Sequence, residues 1–292
     1  MSIYFSALSR LKIPYEIVYT ENLVKSLMQI AETKPFLDEY WGTRQEVKLL
    51  RMAKVRAITY SNQIEGNHLS EAEVAAILQG KTVRGTKKDI QEVHNYQEAL
   101  DYVERIVESS GDSQSVRLAD MCDLQRLVTS GVIDEKQCGR VRTVSVSILN
   151  AATGEMIQEC PQPFELKDLL DDLWGWLDRT RNVNPFVRSF AFHFIAVAIH
   201  PFADGNGRTV RLMQHLLLLL FGQKLASFVP SETVIMRSRD RYYLAIRESR
   251  ALGQLTPILE YLAQCFAHAA QEVVQEGRDF LRESAGKTPQ IR

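Results

Sequence analysis

The stretch His200-Pro-Phe-Ala-Asp-Gly-Asn-Gly-Arg-Thr-Val-Arg211 decides how the chain is read. It is polar and lies between two runs that are not. Residues 190–199 are almost wholly apolar, and residues 212–221 nearly so. Runs of that kind predict two buried helices with a tight joint between them. Asp204, Gly205, Asn206 and Gly207 supply the joint, because these residue types accept turn conformations that most side chains resist. A helix then opens with free N–H groups and a partial positive charge, a setting that attracts phosphate. Arg208 and Arg211, three apart, share one face of its first turns. Two guanidiniums beside an N–H nest suit a polyphosphate. Asp204 adds a hard oxygen of the kind Mg²⁺ takes, and His200 adds a general base.

Each residue alone has an ordinary reading, His200 as a structural histidine and Asp-Gly-Asn-Gly as a surface turn. A calcium loop is excluded, since the twelfth position from Asp204 is His215 rather than a glutamate. A P-loop is excluded by the missing Lys-Ser/Thr ending. The functional reading rests on base, acid, glycines and two arginines occurring together.

The stretch resembles the signature of the Fic (filamentation induced by cAMP) family, HxFx(D/E)GNGRxxR, and matches it at every fixed position. The resemblance implies an all-α fold with one small β-hairpin, the flap, next to the active site. It implies transfer of AMP from ATP to a protein hydroxyl of Tyr, Thr or Ser, on a target or on the chain itself. His200 would deprotonate the hydroxyl, and Asp204 would hold Mg²⁺ on the α- and β-phosphates. Asn206 and the backbone of Gly205 and Gly207 would form the phosphate nest, Arg208 and Arg211 would hold the β- and γ-phosphates, and Phe202 would anchor the core. The Doc-type branch, which transfers a phosphoryl group, departs from the Gly-Asn-Gly-Arg run kept here. Removal of AMP at the same site, and nucleotide binding without transfer, are the alternatives.

A second stretch bears on control. Residues 43–64 have helical spacing, with Thr43 placed to cap the start. The helix runs into Ser61-Asn-Gln-Ile-Glu-Gly66, with Gly66 or Asn67 as the residue after the cap. Glu65 then sits at the negative end of a helix dipole, a disfavoured place for a carboxylate. Ser61, Glu65 and Gly66 resemble the inhibitory motif (S/T)xxxE(G/N) of many Fic proteins. By that resemblance Glu65 would pair with Arg211 and block the γ-phosphate, since a carboxylate and a phosphate compete for the same guanidinium fork.

Val144, Val146 and Ile148 alternate with Ser145 and Ser147, which is strand periodicity. Residues 151–154 offer a turn, and residues 156–160 a return strand. By position this hairpin, about 142–160, resembles the flap that docks the target as an added strand. Gly139-Arg-Val-Arg142 resembles the run into it.

Elsewhere the pattern predicts helices over 21–31, ending before Pro35, then after a Ser70–Glu73 capping box, and over 87–108, 118–128, 164–180, 238–250 and 256–280. Arg239, Tyr242 and Tyr243 read as core packing. The expected organisation is a helical extension over 1–42, a Fic domain over 43–283 with its inhibitory helix at 43–67, and a polar tail at 284–292. Among 292 residues, Lys+Arg number 35 and Asp+Glu 36, a near-neutral balance that predicts no direct nucleic-acid binding. The four cysteines show no metal spacing and read as free thiols. No basic-then-apolar leader opens the chain, and no apolar run is long enough to span a bilayer. A cytoplasmic protein without membrane partners is the expectation, with a homodimer left open.

Overall fold

Thr20, Thr43, Ser70, Thr86 and Asn184 each end an extended or turned segment, and each side chain accepts a hydrogen bond from a backbone N–H in the first turn of the helix that follows. Such caps stabilise a helix start by about 1 kcal/mol each and fix where it begins. The chain, described here by a computed structural model over residues 16–111, 116–149 and 156–285, is built almost wholly from helices, five of them started this way. They are α1 (Glu21–Asp38), α2 (Arg44–Ile64), α3 (Glu71–Ile77), α4 (Lys87–Ser110), α5 (Leu118–Thr129), α6 (Leu166–Arg179), α7 (Pro185–Ile199), α8 (Asn206–Leu220), α9 (Glu232–Arg237), α10 (Arg239–Leu252) and α11 (Thr256–Ala285).

The core is centred on α7. Every residue from Phe186 to Ile199 is buried, so this helix has no solvent face and its apolar run is explained. It packs against α6, α8 and α11, and α8 in turn packs against α4 and α5. The joint between α7 and α8 is thereby held from both sides. Phe202, within the joint, is fully buried. Among the described residues no helix is long and apolar enough to cross a membrane.

Two expectations need correction. Helix α1 does not stop before Pro35 but runs through it to Asp38. Proline removes one backbone donor and disfavours a helix interior. Here buried Ile30, Thr33 and Leu37 carry the packing face past the proline, with α1 lying along α11. The hairpin is shorter than its alternation suggested. Strand β1 spans Ser147–Leu149 and pairs antiparallel with β2, Met156–Glu159, with an irregularity between Ile148 and Leu149. Val144, Ser145 and Val146 precede the strand. The carbonyl of Val144 is taken by Arg142, and the Ser145 hydroxyl donates to Gln162. Local groups thus claim the polar atoms that a longer ladder would need. The turn expected at 151–154 lies outside the described residues.

Candidate active site

The joint is shaped by its own side chains first. Helix α7 ends at His200, which adopts a left-handed conformation (φ 52°, ψ 62°). Among the described residues it is the only non-glycine with positive φ. Such a conformation costs of the order of 1 kcal/mol or more and persists only where the surroundings enforce it. Asn206 closes the loop. Its Oδ1 accepts from the Phe202 N–H at 2.9 Å, and its Nδ2 donates to the Phe202 carbonyl at 2.8 Å. The Asn206 side chain is therefore a brace for the loop, which leaves backbone N–H groups to form any nest. Gly205 is left-handed (φ 77°), and a Cβ there would stand 2.6 Å from Thr129 Cγ2.

Distant residues hold the loop in place. Gln125 of α5 donates from Nε2 to the Asp204 carbonyl at 3.0 Å and accepts from the Gly139 N–H. Arg142 is buried and makes no ion pair with a carboxylate among the described residues. Its Nε donates to the His200 carbonyl (2.8 Å), Nη1 to Val144 (2.9 Å) and Nη2 to Pro161 (2.6 Å). Its own N–H donates to the Pro201 carbonyl at 2.9 Å. One guanidinium thus joins the His200 loop to both feet of the hairpin. Burial, and then the Arg142 charge, push the His200 imidazole down to about 4, with Val197, Glu65 and Asp204 opposing. At neutral pH the ring is uncharged and can accept a proton.

The two arginines of α8 are both buried. Arg211 is met by α2. Its Nε donates to Ser61 Oγ at 2.8 Å, and its Nη2 donates to the Ser61 carbonyl at 2.9 Å and to Glu65 Oε1 at 2.8 Å. Glu65 caps the end of α2 and Gly66 follows with φ 96°. A Cβ on Gly207 would fall 2.1 Å from Glu65 Oε1, so the carboxylate lies directly over the backbone that opens α8. A negative group in that place is where the helix dipole and N–H groups favour an anion. Burial alone would raise the Glu65 carboxyl, but Arg211, then Arg208 and Arg239, outweigh it and hold it below the usual range. Arg208 pairs instead with Glu92 of α4, Nη1 to Oε1 at 3.0 Å. The approach is off-line for a hydrogen bond, and Arg208 Nε and Nη1 are buried without a hydrogen-bond partner. Glu92 in turn accepts from Asn67 Nδ2 at 2.9 Å.

Asp204 differs from its neighbours in being open. Its side chain is 56% exposed, and Oδ1 accepts from the Gly205 N–H. Among the described residues no cluster of three or more His, Cys, Asp or Glu could hold a metal alone. A cation at Asp204 would draw its remaining oxygens from a ligand or water, which is the usual manner of Mg²⁺ on a nucleotide.

The structure brings His200, Asp204, Gly205, Asn206, Gly207, Arg208 and Arg211 together with Ser61, Glu65 and Gly66. The hairpin feet join them through Arg142. Glu92 and Gln125 escaped sequence reasoning, as did the bond from Arg142 to the His200 loop. Glu92 sits at the edge of the α4 stripe of Val93, Tyr96 and Leu100, where an acid reads as solvated. Tyr242 packs in the core as expected, its hydroxyl 2.8 Å from His193 Nε2.

Comparison with known proteins gives this geometry a context. A family model described as Fic/DOC family matches residues 115–218. The protein adenylyltransferase fic-1 of Caenorhabditis elegans is 30% identical over 238 residues, 78% of this chain and 43% of the relative. The protein adenylyltransferase Fic of Nematostella vectensis is 29% identical over 230 residues, 77% of this chain and 49% of the relative. The chain thus spans less than half the length of these curated relatives. The crystal structure of a Fic family protein from Desulfovibrio desulfuricans superposes with a TM-score of 0.75 at 31% identity, covering 90% of this chain and 77% of the other. Fic-1 of C. elegans (residues 134–508) shares the fold, with a TM-score of 0.68 at 23% identity over 88% of this chain and 74% of the other. With that identity to a Fic family protein, three quarters of which this chain covers, and with the matching family model, the chain belongs to the Fic family.

Proposed function

We propose that this chain is a protein adenylyltransferase that moves AMP from ATP to a Tyr, Thr or Ser hydroxyl, on a target protein or on itself. In this reading the hydroxyl oxygen attacks the α-phosphorus, the bond to the bridging oxygen breaks, and pyrophosphate leaves. His200 takes the hydroxyl proton, a role its low basicity permits because the ring is neutral at pH 7. The N–H groups at the start of α8 and the guanidiniums of Arg208 and Arg211 would cradle the phosphates, so catalysis is mainly positioning and charge neutralisation. Asp204, half-exposed at the head of that helix, would hold Mg²⁺ jointly with phosphate oxygens. When bound there, Mg²⁺ supplies further neutralisation of phosphate charge. Residues 144–148, at the hairpin joined to His200 by Arg142, would dock the target segment as an added strand.

The observation that carries the regulatory half is the position of Glu65. Its carboxylate pairs with Arg211 and overlies Gly207, the place a phosphate would take. The enzyme would therefore be autoinhibited, with α2 as the inhibitory helix, and would act when Glu65 moves aside. We assign residues 43–283 to the catalytic unit and residues 1–42 to an extension. The free thiols of Cys122, Cys138, Cys160 and Cys265 support a reducing compartment such as the cytoplasm.

The test uses Glu65→Gly and Glu65→Gly/His200→Ala with Mg²⁺ and ATP labelled at the α- or the γ-phosphate. Covalent label from α alone, lost with His200, is the expected result. Label from γ alone would replace the proposal with phosphoryl transfer. No label on the chain or on lysate proteins, with bound ATP, would leave a nucleotide-binding module. Release of AMP from an adenylylated protein would point to the reverse reaction.

A further inference from the structure

Helices α2 and α8 carry the two halves of the Glu65–Arg211 pair, yet they are not packed together along their length. A cavity of about 530 Å³ separates them, closed on the other sides by α4 and residues 226–232. Its volume falls within the roughly 300–1,000 Å³ of small-molecule sites. On α2 it is lined by Leu50, Ala53 and Ala57, the same stripe that one turn later presents Ser61 and then Glu65. Leu100, Leu218 and Val229 continue the apolar wall. A cleft of this size, partly open to solvent and beside a buried ion pair, can take a small occupant.

The polar groups at its inner end say what kind. Glu232, which opens α9, is 8% exposed and lines the cavity. Burial raises its carboxyl above the usual range, with its own backbone N–H and the Arg211 charge opposing. Arg211 also reaches the cavity, but its charge is already met by Glu65 and its donors by Ser61. His215 is held neutral, its imidazole pushed down to about 4 by burial. The lining also includes Glu46, Glu104 and Glu108 with Arg51 and Lys54, and Lys54 is paired with Asp101 and Glu104. Glu232 makes no ion pair among the described residues, so a carboxyl stands at the end of an apolar chamber with only the Arg211 charge, shared with Glu65, acting on it.

We propose that this cavity binds a small aromatic amine, its ring among the leucines and its ammonium on Glu232, and that occupancy holds the Glu65–Arg211 pair closed. The direction follows from linkage. The cavity is formed in the arrangement where the pair is made, so a ligand that fits it favours that arrangement over any in which α2 moves off α8. The regulatory half rests on the adenylyl-transfer reading, whereas the binding half does not.

Calorimetric titration of the full chain with tryptamine, and with indole-3-acetate as the same ring with the opposite charge, tests the site. Tryptamine should bind about tenfold or more tightly than the acid, the size expected of one charge-assisted hydrogen bond. Glu232→Gln should erase that preference, and Ala57→Phe, which fills the chamber, should abolish binding of both. Equal affinities in wild type, or binding unchanged in both variants, would overturn the site. Label transfer from α-labelled ATP is then measured with and without tryptamine. It should fall in wild type and stay constant in Glu65→Gly. Binding with no effect on wild-type transfer, while Glu65→Gly transfers readily, would overturn the regulatory link alone. No transfer by Glu65→Gly would instead remove the enzymatic reading and leave the binding result standing.

Discussion

Arg211 donates three hydrogen bonds to Ser61 and Glu65 of α2, whereas Arg208, one turn earlier and as deeply buried, has an off-line ion pair with Glu92, a longer one with Asp204 and two nitrogens without a hydrogen-bond partner. A buried donor left unsatisfied costs on the order of 1–3 kcal/mol, so Arg208 is held ready at an energetic cost that Arg211 does not bear. The difference is instructive because the two residues are equivalent in sequence. In the state described here one guanidinium is fully engaged by the chain itself, and the other still has donors to offer an incoming anion.

Changes at the two acids should separate the two cases. Glu92→Ala removes the nearer of the two acids beside Arg208, leaving Asp204 at 3.9 Å and half-exposed, and both Arg208 and Glu92 are buried, at 4% and 5% exposed. Leaving a buried charge alone costs about 3–5 kcal/mol, and denaturant melts should show a loss of that order. Glu65→Ala should cost far less, about 1 kcal/mol, because its side chain is 32% exposed and Arg211 keeps both bonds to Ser61. If the two losses were equal, the contrast between the arginines would fail. Ser61→Ala should lie close to Glu65→Ala, near 1 kcal/mol for one hydrogen bond, and should raise label transfer by loosening Arg211.

Acid should expose the same difference more weakly. The Glu65 carboxyl lies below the usual range in the folded chain, so its stabilising pairing is fully present above the ordinary carboxylate range and is lost as pH falls through its lowered value. The stability gap between wild type and Glu65→Gln should therefore shrink at low pH, as read by melts across about pH 2–6, roughly two units either side of model carboxylates. A gap that widened in acid would mean that Glu65 is not ionised against Arg211. The smallest effect concerns His200. Its acid limb in the transfer rate should lie near 4 rather than near the ordinary imidazole value, and lower still in Glu65→Gly, since Glu65 raises it.

Much of this was legible beforehand, for identifiable reasons. The apolar runs around residues 200–211 announced α7 and α8, since only a fully buried helix tolerates so continuous an apolar stretch. Thr43 and Ser70 announced helix starts because a cap is a local interaction. Glu65 stood out as an acid at the wrong end of a helix. What stayed hidden depends on distant packing. Arg142 reads only as part of the run into the hairpin, and its tie to the His200 loop shows once three carbonyls from three segments converge on it. Glu92 reads as one more charge on an exposed helix until Arg208 and Asn67 meet it. The end of α1 was misplaced because Pro35 is a local signal that burial of Leu37 overrides. The hairpin was overextended because alternation cannot show that Arg142 takes the Val144 carbonyl.

The central claim is that Glu65 stands where a phosphate must go. Initial rates of AMP transfer from α-labelled ATP, measured side by side for wild type and Glu65→Gly at saturating ATP and Mg²⁺, test it most directly. The account predicts a rate at least about tenfold higher without the carboxylate, the equivalent of freeing one charge-assisted contact to Arg211. Equal rates in the two proteins, with His200→Ala silent in both backgrounds, would show an active enzyme whose Glu65–Arg211 pair restrains nothing.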